Sequence, residues 1–336
     1  MNKTIYLILK FQRLFIPFCI IIFTIFLVMF TSTNLESAKH GLSIWVNSVV
    51  PTLFPFFIAT ELLGYTNIVY YLGKISNKVM KPIFNVPGEG SFPLIMGIIS
   101  GYPVGSKIVS NLKKQGKITN IEAERLIAFT NNSGPLFILG TVGIGLFQSK
   151  QIGNILLVTH ILAGLSTGII FRWWKKNKED FQNSYEKKFK NENKKEILFT
   201  NLGEILSISI TNAIKTTMLI GGFIVLFSVV ISMLENSYIL KMPNEFSSGV
   251  ISGILELTNG ICKVSLIPNI NLNIKVITCA FLLGFGGISI LLQILSIISK
   301  EKISIKPYII GKLLQGILAA VYTYIFIYFL QPLLIQ

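Results

Sequence analysis

Residues 97–101 read Gly-Ile-Ile-Ser-Gly, and residues 249–253 read Gly-Val-Ile-Ser-Gly, 152 positions later. The offset holds without a gap beyond this stretch. Ala128-Phe129 falls on Ala280-Phe281, Gly134 on Gly286, and Leu162 and Gly164 on Leu314 and Gly316. Two related halves, each with a glycine-broken apolar segment, are the pattern of many secondary transporters.

Composition sets the solvent. Hydrophobic residues make up 51% of the 336 and charged residues only 13%, whereas a soluble chain carries roughly a quarter charged residues. Apolar runs near the roughly 20 residues that span a bilayer recur along the chain. The sequence therefore predicts an all-α polytopic membrane protein with lipid as its main partner. The net charge of +15 does not indicate nucleic acid, because the Lys and Arg residues sit between apolar spans, where membrane proteins place them. Cys19, Cys262 and Cys279 show no spacing that implies a disulfide or a zinc site.

Predicted full spans cover 14–33, 42–64, 122–147, 152–174, 205–234, 274–299 and 308–330. The first follows Lys3, Lys10 and Arg13 and is too long for a signal-peptide core, so it is read as an uncleaved span. Residues 87–111 and 240–265 are apolar but interrupted, the first by Pro87, Gly88, Gly90, Pro93, Gly97, Gly101, Pro103 and Gly105, the second by Pro243, Gly249, Gly253 and Gly260. Such density breaks helices, and irregular backbone survives at membrane depth only inside protein or along a cavity. Both read as re-entrant hairpins; an ordinary kinked span is the alternative.

With the basic N-terminus in the cytoplasm, the positive-inside rule keeps Lys74, Lys78, Lys81, Lys113, Lys114 and Lys117 inside. It also keeps inside residues 172–196, with nine basic and five acidic side chains. The first hairpin then enters from the inside and the second from the outside, an inverted repeat. The expected organisation is an N-terminal transmembrane helix at 1–40, a first repeat at 41–174, a basic cytoplasmic linker at 175–200 and a second repeat at 201–336. This gives about seven full spans plus two hairpins.

The most polar intramembrane stretch is Ala128-Phe129-Thr130-Asn131-Asn132-Ser133-Gly134-Pro135. Proline removes a backbone donor, so a broken helix with loose polar groups is expected, lining a binding site or bonding between helices. The matching Gly284-Phe285-Gly286-Gly287 lacks polar side chains, so the halves should contribute unequally. Ser100-Gly101-Tyr102-Pro103-Val104-Gly105-Ser106-Lys107 reads as a hairpin tip whose free donors and Lys107 suit a carboxylate, or as a structural turn. Glu61, Glu122, Glu124, Arg125, Lys215, Glu256, Lys263 and Lys312 lie at or near membrane depth, where ionisable groups are paired or functional. Glu256 and Lys263 share a helical face, and a mutual or cross-repeat ion pair is one reading of them. His160, which aligns with Lys312, reads as a packed or interfacial residue rather than a proton relay. Trp45, Trp173 and Trp174 read as interfacial anchors. No HExxH or nucleotide fingerprint stands in the chain, so no enzyme, cofactor or metal is expected.

The stretch WVNSVVPTLFPFFIATELL from Trp45, with KPIFNVPGEG, GIISGYPVGSKI and EAERLIAFTNNSGPLFILGTVG after it, resembles the sporulation integral membrane proteins of the YlbJ type. The likeness is strong over residues 40–175 and weaker over 200–330. Members carry two Gate, or nucleoside-recognition, domains, and concentrative nucleoside transporters with such domains have inverted repeats and hairpins. The resemblance implies a transporter that moves dipicolinic acid from the mother cell across the outer forespore membrane, and, through the nucleoside transporters, a homo-oligomer. Dipicolinate is a flat dianion. Ser100, Tyr102, Ser106, Lys107, Arg125, Asn131, Asn132 and Ser133 are the residues expected to bind it. Transport of a nucleoside or another small anion, and a scaffold for spore-envelope assembly, are the competing readings. Proton coupling, sodium coupling and passive flow are all compatible with the residues.

Overall fold

The computed structural model describes residues 3–175, 201–236 and 244–330. Among these the chain is helical with no strand, as expected of a backbone that must satisfy its own hydrogen bonds in lipid. The fourteen α-helices named here are numbered along the chain. They are α1 (Lys3–Met29), α2 (Thr31–Ile44), α3 (Val50–Gly64), α4 (Ile68–Phe84), α5 (Ser91–Ser100), α6 (Val104–Lys114) and α7 (Asn120–Ile127). There follow a π-helical segment, Phe137–Leu146, and then α8 (Lys150–Phe171), α9 (Leu202–Asn236), α10 (Glu245–Leu255), α11 (Leu257–Leu266), α12 (Leu272–Phe285), α13 (Gly287–Ile298) and α14 (Lys306–Ile325).

The exposed side chains are those that suit lipid. On α8 the exposed residues include Val158, Leu162 and Ile169, while Thr159, His160 and Thr167 are buried. On α14 the exposed residues include Ile310, Leu313, Ile317 and Val321, while Lys312, Gln315 and Thr323 are buried. Both helices are inside out relative to a soluble protein, where lysine and glutamine seldom lose water. The protein is an all-α polytopic membrane protein.

Among the described residues, five helical stretches are long and apolar enough to cross: Thr31–Gly64, Lys150–Phe171, Leu202–Asn236, Leu272–Glu301 and Lys306–Phe329. Residues 34–41, between the predicted spans 14–33 and 42–64, are helical, since α2 runs through a π-turn, Trp45–Val49, into α3. The predicted span 122–147 is interrupted between Ile127 and the π-helical segment. The predicted first span lies on α1, whose 27 residues are long enough to cross. The predicted loop carrying Lys74, Lys78 and Lys81 is the amphipathic α4. Its exposed Tyr71, Ile75 and Val79 beside those lysines give it the makeup of an interfacial helix. The linker predicted at 175–200 lies outside the described residues except for Lys175.

Both predicted hairpins are pairs of short helices. α5 and α6 have 10 and 11 residues, and α10 and α11 have 11 and 10. At 1.5 Å per residue each is about 15 Å long, half a bilayer. Residues 240–243 of the second predicted hairpin lie outside the description. The helices of the two halves keep the sequence offset. α10, α11, α12, α13 and α14 begin within four residues of where 152 positions after α5, α6, α7, the π-helical segment and α8 would put them.

The breaks have local causes. Gly101 has φ +84, and Gly286 and Gly287 have φ +85 and +86, a region open to glycine without a Cβ clash. α7 begins at a capping box: Thr119 Oγ1 accepts from the Glu122 N–H at 3.2 Å, and Glu122 Oε2 accepts from the Thr119 N–H at 2.7 Å. That reciprocal arrangement accounts for Glu122 near a span end.

Candidate functional site

The long helix α9 orders the two hairpins. Lys107 of α6 reaches Thr216 Oγ1 at 3.0 Å. Asn259 of α11 reaches Ser228 Oγ at 3.1 Å, and Lys263 of α11 pairs with Glu235. From tip to base, the first hairpin runs toward the N-terminus of α9 and the second toward its C-terminus. Their tips meet in between. There a cavity of about 70 Å³ is lined by Gly101 and Tyr102 of the first tip, Glu256 and Thr258 of the second, Ser133, Gln293, and Ile220 and Ile224 of α9.

A larger, open cavity of about 340 Å³ lies beside the first hairpin, lined among others by Glu61, Lys107, Lys114, Asn212 and the buried Phe57, Phe92 and Val104. The two cavities share no lining residue, yet the same helices border both. Val49, just before α3, and Thr52 and Leu53 at its start face the small one, and Phe57, Thr60, Glu61 and Gly64 further along face the large one. On α9 Asn212 faces the large cavity and Ile220 and Ile224 the small one. Spacings of three and four residues keep these on one helical face. Between the cavities, Thr60 Oγ1 lies 3.3 Å from Ser100 Oγ at the hairpin tip.

Behind the tips lies a buried polar network joining the halves. Lys312 Nζ donates to the Asn131 carbonyl at 2.8 Å and to Gln315 Oε1 at 2.7 Å. Gln315 Nε2 donates to Asn132 Oδ1 at 2.7 Å. The Lys312 ammonium also lies 5.1 Å from the centre of the Tyr102 ring, within cation–π range. Tyr102 itself donates to the Leu283 carbonyl at 2.9 Å, and His160 Nε2 accepts from the Ser133 N–H at 3.1 Å. Asn131 Oδ1 accepts from the Ser106 N–H at 2.8 Å. The amides of Asn131 and Asn132 and the Ser133 N–H are thus taken up by α6, α8 and α14, while Thr130 Oγ1 and Ser133 Oγ are buried with no hydrogen-bond partner among the described residues.

Of the residues expected to bind substrate, Tyr102 and Ser133 face the small cavity and Lys107 the large one. Ser100, Ser106, Asn131 and Asn132 stand one layer back, holding the tip and the interrupted segment. Arg125 lines neither cavity. Its Nη1 donates to the Asn85 carbonyl at 2.8 Å, and its Nη2 and Nε to the Trp174 carbonyl at 2.7 and 3.1 Å. It ties the end of α4 to the end of α8.

Glu256 and Lys263 do not pair. Glu256 caps α11, accepting from the Thr258 and Asn259 N–H groups at 3.1 and 2.8 Å and from Asn259 Nδ2 at 2.8 Å, while Lys263 goes to Glu235. Glu124 pairs with Lys175 at 2.7 Å and accepts from Trp174 Nε1 at 2.8 Å. Gln293, Gln315, Asn212, Thr216 and Thr258 were not singled out by the sequence. A single amide or hydroxyl in an apolar helix carries little signal unless the helix is already known to be buried. Among the described residues no group of three or more His, Cys, Asp or Glu side chains is placed to hold a metal.

The nucleoside-recognition (Gate) family model matches residues 46–150, which contain α3, the first hairpin and the interrupted segment. The chain is 35% identical over 338 residues to the sporulation integral membrane protein YlbJ of Bacillus subtilis (strain 168), a match covering 94% of this chain and 82% of that protein. No solved structure matches the chain.

Proposed function

Because the chain belongs to the family of the sporulation integral membrane protein YlbJ, we propose that it is a transporter, not an enzyme, that carries dipicolinate out of the mother cell across the outer forespore membrane. The observation that carries this reading is the meeting of two hairpin tips at a small cavity, with a larger cavity along the same faces of α3 and α9. Irregular backbone at half-bilayer depth is the usual place of a transporter's substrate site. In this reading the halves form an inverted repeat. The large cavity faces the mother-cell cytoplasm, with Lys107 and Lys114 on its wall to collect a dianion. The substrate then passes to the tip cavity, where Tyr102 offers an aromatic face and Gln293 and Thr258 offer hydrogen bonds.

A second reading, a nucleoside carrier, has its own support. The tip cavity is lined by Glu256 and Gln293 and by no Lys or Arg, a chemistry that suits a neutral riboside, and the matching family model is described as nucleoside recognition.

The test is uptake of labelled dipicolinate into proteoliposomes containing the purified protein, with uridine as competitor. Saturable dipicolinate uptake that uridine does not reduce is the expected result. Uridine uptake in its place would transfer the assignment to the nucleoside class. Absence of both, in folded protein, would favour a scaffold role.

A further inference from the structure

We propose that Glu61 is a built-in competitor for the substrate's carboxylate, holding Lys107 until an anionic solute takes that lysine over. The inference rests on the transport reading above and adds to it how the site selects a carboxylate and what closes the way to the tip cavity.

Lys107 Nζ lies 2.6 Å from Glu61 Oε1 and 3.0 Å from Thr216 Oγ1. The other Glu61 oxygen accepts from Asn212 Nδ2 at 3.1 Å. One small cluster therefore ties α6, which follows the tip lining the small cavity, to α3 and α9, which border both cavities. The pair is within reach of solute, since the Lys107 and Glu61 side chains are 25% and 15% exposed on the wall of the large cavity. Inward of it stand Phe57, Phe92 and Val104, all buried, and the Thr60–Ser100 contact.

A neutral solute gains nothing by separating an ammonium from a carboxylate in so poorly solvated a place. A carboxylate exchanges like for like: it accepts from Lys107 as Glu61 did, and Glu61 keeps its bond from Asn212. Lys107 stands one turn from the first tip. Releasing it from Glu61 removes the charged tie between that hairpin and α3 and leaves the Thr60–Ser100 contact as the polar tie between them. Lys114 lies seven residues on, along the same face of α6, and lines the same cavity, where it can meet the second carboxylate of a dianion.

The experiment compares dipicolinate and uridine uptake in proteoliposomes for Lys107→Ala, Lys107→Arg, Glu61→Gln and the exchanged pair Glu61→Lys with Lys107→Glu. Lys107→Ala should cut dipicolinate uptake about tenfold or more, the loss that follows removal of a charge-assisted hydrogen bond. Lys107→Arg should retain most of it. Glu61→Gln should move the other way, lowering the half-saturating dipicolinate concentration. The exchanged pair should fold yet carry little dipicolinate, because its cation no longer rides on the hairpin. Glu61→Gln and Lys107→Ala falling together, or full uptake by the exchanged pair, would reduce the cluster to a structural tie and overturn the inference while leaving transport intact. Wild-type protein that carries uridine and not dipicolinate would instead remove the transport reading. In that case calorimetric titration of dipicolinate into the purified protein decides separately, and absence of wild-type binding overturns the competitor as well.

Discussion

The first hairpin is held from outside and the second largely from within. Between α5 and α6, Gly97 and Gly105 leave room for the Thr130 carbonyl, where an added Cβ would lie only 1.8 and 2.1 Å from it. The tip residue Tyr102 bonds to Leu283 in the other half, and Ser106 bonds to Asn131. Between α10 and α11, by contrast, Glu256 caps its own following helix, and Gly253 and Gly260 face one another, with a Cβ on Gly260 reaching 2.0 Å from the Gly253 Cα. The same backbone plan is therefore stabilised by local contacts in one copy and by distant ones in the other. The first tip is sensitive to the arrangement of the whole molecule, and it also carries Lys107.

That contrast can be broken or sharpened by substitution. The largest effect is expected at Gly97→Ala, whose Cβ meets a backbone carbonyl that cannot yield without moving the segment 128–134. A loss above about 3 kcal/mol and little folded protein are expected, read as loss of the monodisperse peak in fluorescence-detected size-exclusion chromatography. Gly140→Ala, where nothing lies within 4 Å, should leave the peak unchanged. Glu256→Ala removes the acceptor for two α11 donors and should cost about 1–2 kcal/mol in detergent thermal unfolding. Glu256→Gln keeps an acceptor oxygen and should recover much of it. If Glu256→Ala proved silent, the second hairpin would not be self-capped as described.

Smaller effects test the reach across the halves. The bond between Gln315 and Asn132 should show a coupling of about 1 kcal/mol in a double-mutant cycle with alanine at both positions. Tyr102→Phe leaves the Leu283 carbonyl without its donor and should cost a similar amount, about 1 kcal/mol, in the same unfolding assay. The smallest effect belongs to the second hairpin's outer pair. Lys263 and Glu235 have side chains 35% and 39% exposed, so Lys263→Met should change stability by less than about 1 kcal/mol.

Much of this was legible in the chain. The density of glycine and proline marked both hairpins, and the run Thr130-Asn131-Asn132-Ser133-Gly134-Pro135 marked an interrupted helix, because both signals act on the backbone of the residues that carry them. Tyr102, Lys107 and Ser133 were singled out and do face cavities. Arg125 was singled out on depth and on its place about one turn before Asn131-Asn132-Ser133, and neither distinguishes a substrate cation from one that binds the Asn85 and Trp174 carbonyls. The helical continuity of α2 into α3 was missed because charged and polar residues such as Glu36, Lys39 and His40 divide the two apolar runs, although nothing in their backbone breaks a helix.

The sequence by itself determined the solvent, the helical class, the two-fold recurrence at 152 positions and the breaks at the two hairpins and in the run 128–135. These follow from composition and from local conformational limits, which act over a few residues. Tertiary structure alone decided which polar groups meet. It joined Lys312 and Gln315 to Asn131 and Asn132 some 180 positions away, and set Glu61 on Lys107. It also turned both hairpin tips toward one cavity between them. In a low-dielectric interior each buried polar group must find a partner, but which partner it finds depends on helix packing, and no local pattern encodes that.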